Sequence, residues 1–178
     1  MIPARWGCGT HGERRTAVTT KADYTAEEWE LLMRAPFMAA MAIVAASPSG
    51  PIGVIKEMFA VGRVLVEGGG EGEANALVNA LVSEVKAGHR PAAATESLQS
   101  TEEAKALALK ACREVSALLA RKVPAAEAEG FKRWLLTTAQ RAAEASKEGG
   151  FLGIGGVRVS DAEKAALAEV ASALEVTA

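Results

Sequence analysis

The chain has 178 residues, 49% of them hydrophobic but only 4% aromatic, with 20 basic and 22 acidic side chains for a net charge of −2. That length suits one domain, and a chain of this size buries roughly 70% of the surface it exposes when unfolded, enough for a core. The charge balance carries neither the basic footprint of a nucleic-acid binder nor a polyacidic tail. Alanine, leucine and valine supply most of the apolar content and long β-branched alternating runs are absent, which predicts an all-α fold.

The first 23 residues, "MIPARWGCGTHGERRTAVTTKAD", have no periodicity and are read as a disordered tail, with a single helical domain over 24–178. Translation starting near Val18 is a second reading of this leader. It lacks the apolar region of a signal peptide. Cys8 and His11 lie close within it, but neither they nor Cys112 and His89 show the spacing of a zinc site. The two cysteines are read as thiols of a reduced, intracellular protein.

The first predicted helix opens at Thr25, where "TAEE" places Glu28 three residues on in a capping-box pattern. After Arg34 no charged or polar side chain appears until Ser47, so residues 35–46 are expected to be enclosed on all sides as the central helix. The run is too short to span a bilayer. Pro36 removes one hydrogen bond to the preceding turn, and a kink near Leu32 is expected. Tyr24 and Trp29 are candidates for an interface.

"SPSGP" breaks the chain before a second predicted helix, about Pro51 to Glu67, whose broad apolar face carries Val54, Ile55, Met58, Phe59, Gly62, Leu65 and Val66. The third, about Glu73 to Ala87, turns Leu77, Val78, Leu81, Val82 and Val85 inward and Asn75, Asn79, Ser83 and Lys86 outward. The fourth begins with Ser100 and Glu103 as a second capping box, with Leu107, Ala108, Ala111, Val115, Leu118 and Leu119 as its stripe. Pro124 starts the fifth, with Phe131, Leu135, Ala139 and Ala142 inward and Trp134 flanking them. The sixth is capped by Ser160 with Glu163, and Leu167, Val170 and Leu174 form its inner edge. About six helices therefore make a compact bundle around the apolar first one. A loose match between "TAEEWELLMR" and "STEEAKALAL" raises an internal duplication as a further reading.

Chemistry-bearing motifs are sparse. The glycine stretch "GGFLGIGG" follows a helix rather than a strand and is not followed by a phosphate-binding Lys, so it reads as a packed connector. Arg158 and the N-terminus of the last helix at Ser160 are a candidate anion site. No Glu-x-x-His pair supports a di-metal bundle, and the paired carboxylates sit in first helical turns, where they serve capping and the helix dipole. Met38, Met41 and Phe37, together with Met58, Phe59 and Trp134, are the candidate ligand-binding or interface residues, because methionine is adaptable at promiscuous surfaces.

The segments "TAEEWELLMRAPFMAAMAIVAASPSGPIGVIKEMF" and "AAEASKEGGFLGIGGVRVSDAEKAALAEVASAL" resemble bacterial helical proteins of uncharacterised families. More distantly they are similar to tellurite-resistance-type helical domains. That resemblance implies an all-α domain binding a divalent metal through loop acids. The chain departs from it at Ser47-Pro48-Ser49-Gly50 and Lys147-Glu148-Gly149-Gly150, where no Asp-Gly stands, so no metal ligands are carried over.

The expectation is a non-enzymatic interaction or scaffolding protein, cytoplasmic, without cofactor, and self-associating or bound to a protein partner. The alternatives are a carrier of a small apolar or acyl ligand in a Met-rich helical pocket, and a divalent-metal-responsive helical domain. Nucleic acid and a transmembrane segment are excluded.

Overall fold

The computed structural model describes residues 20–46, 75–91, 100–145 and 159–176. Among them are five α-helices and no strand: α1 (Ala26–Val44), α2 (Ala76–Lys86), α3 (Thr101–Lys122), α4 (Ala125–Ala145) and α5 (Asp161–Leu174). They correspond to the first, third, fourth, fifth and sixth helices expected from the sequence. The second expected helix, the glycine stretch before α5 and most of the N-terminal leader lie outside the described residues.

Local chemistry starts α1, α3 and α5 where the sequence pattern places them. The Thr25 hydroxyl accepts from the Glu28 amide at 3.2 Å while the Glu28 carboxylate accepts from the Thr25 amide at 2.9 Å. Ser160 and Glu163 form the same reciprocal box on α5, and Ser100 accepts from the Glu103 amide at 3.1 Å. These bonds satisfy amides that have no partner inside the helix.

Two boundaries differ from expectation. Lys21–Asp23, inside the segment read as tail, form a 3-10 turn. It is ordered by tertiary contacts: Lys21 donates to Glu84 on α2 at 2.8 Å, and the Asp23 carbonyl accepts from Lys122 at the end of α3. Asn75, expected to face outward, is buried. It stands before α2 as its cap, where helical periodicity no longer dictates direction, and its Oδ1 accepts from the Val78 amide at 3.0 Å.

α1 packs against α3, α4 and α5; α5 also lies on α3 and α4, and α2 rests on α4. One hydrophobic cluster joins all five. Leu32 and Ile43 of α1, Leu77 of α2, Leu118 and Leu119 of α3, Phe131 and Leu135 of α4 and Leu174 of α5 are its largest fully buried side chains. Each such burial contributes about 1.5–3 kcal/mol. Between them stand alanines, among them Ala39, Ala40 and Ala42 on α1, Ala108 on α3, Ala139 and Ala143 on α4 and Ala166 on α5. Small side chains at helix contacts let the helix axes approach closely. This is how a chain so poor in aromatics closes its core. The α1 helix continues through the buried Pro36 to Val44.

The helix ends use two versions of one motif. After α2, the His89 amide donates to the Glu84 carbonyl and the Gly88 amide to the Val85 carbonyl, with Gly88 at φ +89°. After α5, the Val176 amide donates to the Ala171 carbonyl and the Glu175 amide to the Ser172 carbonyl, with Glu175 at φ +56°. Both are Schellman turns, which require a left-handed residue. Glycine fills that place at no steric cost; glutamate does not.

Candidate functional site

Six side chains were expected to form a ligand or interface site. Met38 is buried in the core, whereas Phe37 and Met41 are half-buried and pack against its edge. Phe37 and Met41 are four residues apart, so they lie one turn above the other on a single face of α1. Leu31 and Ala45 are half-buried as well. Trp134 is buried on α4, its ring 5.5 Å from that of Phe131. Met58 and Phe59 lie outside the described residues. The structure thus brings Phe37 and Met41 together and assigns Trp134 and Met38 to the interior.

Of the candidate anion site, Arg158 lies outside the described residues. Ser160 is the cap of α5, and both its amide and its hydroxyl donate to Glu163 Oε2 at 2.8 Å. The carboxylate of Glu163 therefore already meets the positive end of this helix.

Tyr24 and Trp29 do not form an external patch. Both are buried, with ring centroids 5.8 Å apart, in the corner between the 3-10 turn, α1 and the end of α3. Lys122 lies 5.5 Å from the Tyr24 ring centre and Lys21 lies 5.7 Å from that of Trp29, both within cation–π range. Lys122 also pairs with Glu28. That contact and the Thr25 amide hold the Glu28 carboxyl below its ordinary range. The Tyr24 hydroxyl and the Trp29 indole N–H are buried without a hydrogen-bond partner among the described residues. Burial, with Glu127, Asp23 and Glu28 nearby, pushes the Tyr24 phenol up to about 12.

A second polar group joins three helices and was missed in the sequence. Ser116 of α3 donates to Glu175 Oε2 at 2.6 Å, and Lys132 of α4 reaches the same oxygen at 3.4 Å. Ser116 is 2% exposed and Lys132 8%. Ser116 lies beside the expected stripe of α3, one residue after Val115, and Lys132 directly follows Phe131. Adjacency to a stripe residue was the only available signal, and it does not reveal a partner 59 residues away.

Cys112 is buried, and burial pushes its thiol up to about 11, away from the reactive thiolate. Among the described residues no group of three His, Cys, Asp or Glu side chains could hold a metal ion. Nor is any described helix long and apolar enough to cross a membrane. Some of the described ion pairs tie one helix to another, as Lys105 to Glu169 does between α3 and α5 at 2.7 Å, and others stay within one helix, as Lys164 to Asp161 does. No protein-family model matches this chain, and neither a curated protein nor a solved structure does so.

Proposed function

We propose that the chain is a non-enzymatic helical interaction module, acting in the cytoplasm, that self-associates through one face of α1. The observation that carries this reading is the half-burial of Phe37 and Met41 on a helix with no charged side chain after Arg34. An all-apolar helix needs cover on every side, and a second copy of the chain offers an apolar stripe of the same kind. The inter-helix ion pairs and caps favour a rigid scaffold rather than a reacting centre. The finer architecture we propose, a bundle of about six helices with α1 at its centre and its Phe37–Met41 face left for the second copy, rests on the packing of α1 against α3, α4 and α5.

Light scattering coupled to size exclusion tests the reading. The expected result is a mass above the 18.4 kDa of one chain that rises with concentration. Met41→Lys or Phe37→Lys returns it to one chain with unchanged helical circular dichroism. A strict monomer at high concentration rejects self-association. Native mass spectrometry on freshly purified protein distinguishes the carrier reading, which requires added small-molecule mass. A melting temperature that rises with calcium or magnesium would instead favour the metal-responsive reading.

A further inference from the structure

We propose that Ser116 and Lys132 form a carboxylate-binding notch in which the chain's own Glu175 is the resident, displaceable occupant. The two halves of this contact are built differently. The host residues stand on two continuous helices, α3 and α4, and both are buried, Ser116 at 2% and Lys132 at 8% exposure. A buried ammonium requires an anion beside it, and Glu175 Oε2 accepts from both Ser116 Oγ and Lys132 Nζ. Ser116 and Lys132 are thus positioned by the backbones of α3 and α4, and not by the residue that occupies the notch.

The occupant is held differently. The Glu175 side chain is 73% exposed, and its backbone is left-handed at φ +56°, where the equivalent turn after α2 uses Gly88. A non-glycine residue persists in that conformation only when its surroundings over-determine it. Here those surroundings are the backbone bonds of the turn, from the Glu175 amide to Ser172 and from the Val176 amide to Ala171, together with the two hydrogen bonds to the carboxylate. Its tether also compromises the fit. One oxygen serves both donors, and the Lys132 contact is 3.4 Å, longer than the roughly 2.7–2.9 Å of a good charge-assisted bond. An untethered carboxylate can present one oxygen to each donor. The ligand class is thus a small organic acid bearing a free carboxylate, taken up in place of Glu175.

The experiment uses the full chain with Glu175→Gly, which vacates the notch and places the residue best suited to the left-handed turn. Acetate is the probe. Sodium acetate is expected to raise the melting temperature of this variant in a saturable manner, beyond equal sodium chloride. The wild type responds less, because Glu175 competes. Adding Lys132→Met, or separately Ser116→Ala, to Glu175→Gly abolishes the acetate-specific rise. An equal response of wild type and variant overturns the proposal, as does a rise that survives both second substitutions. So does a Glu175→Gly chain that fails to fold or shows no acetate-specific rise.

Discussion

The side-chain amide of Asn75 stands 3.0 Å from where a Cβ on Gly130 would lie. That amide donates to the Glu127 carbonyl at 2.7 Å while Asn75 Oδ1 caps α2. One buried side chain thus joins the start of α2 to the first turns of α4, and the missing Cβ at Gly130 makes room for it.

Gly130→Ala should therefore destabilise, against its helix propensity. Alanine inside a helix ordinarily gains about 1 kcal/mol over glycine. Here the new methyl presses on an amide held by two hydrogen bonds, and a strained or broken buried bond costs about 1–3 kcal/mol. Urea denaturation is expected to show a net loss for Gly130→Ala. In an Asn75→Ser background, where the shorter side chain still caps α2, the same change becomes neutral or stabilising. A gain in the wild-type background would contradict this account of the contact.

Tyr24→Phe is expected to stabilise the protein by about 1 kcal/mol at neutral pH, because it removes a buried hydroxyl that has no partner among the described residues and keeps the ring. The pH dependence follows from the raised phenol. A group that holds its proton more tightly when folded contributes stability below its unfolded value of 10.0, which is lost as pH rises toward about 12. Tyr24 is the only tyrosine in the sequence, so phenolate absorbance reads it directly. A midpoint near 10 in the folded protein would argue against burial of this ring.

At the acid end the same corner behaves in the opposite sense. Lys122 and the Thr25 amide hold the Glu28 carboxyl below its ordinary 4.5. Its stabilising contribution is complete above that value and is lost as pH falls through the depressed folded value. Lys122→Met should flatten the acid limb of a stability–pH curve below 4.5. An unchanged limb would show that the ion pair is not maintained in solution.

On α1, substitutions at Leu32 and Phe37, on different faces of the helix, should separate folding from association. Leu32→Ala deletes a fully buried side chain and is expected to cost about 2–5 kcal/mol in chemical denaturation. Phe37→Lys should leave most of the monomer's stability in place, because Phe37 is only half-buried, while lowering the associated fraction. Equal destabilisation by both would make Phe37 an ordinary core residue.

Cys112 should be inert to a thiol reagent in the folded chain, since its thiol is buried and raised to about 11. In a Cys8→Ser variant the modification rate then follows unfolding across a denaturant series. Rapid labelling in buffer would show that α3 opens locally.

Much of this organisation is legible from neighbouring residues. The caps at Thr25, Ser100 and Ser160 act on amides three residues away, so a short window contains all of their physics. The apolar stripes of α3 and α4 follow the helical period, and Leu118, Leu119, Phe131 and Leu135 are buried as that period predicts. The all-α class follows from the same repetition of caps and stripes.

Only the tertiary structure decided what the polar residues do. Asn75 reaches a carbonyl 52 positions away, and Ser116 a carboxylate 59 positions away. Lys21–Asp23 are ordered by side chains on α2 and α3. The fate of the aromatics was settled in the same way, with Tyr24, Trp29 and Trp134 buried and Phe37 left at the edge. Helical periodicity reports which side of one helix is apolar. It carries no information about which other helix meets that side, and the pairing of buried polar groups depends on that meeting alone.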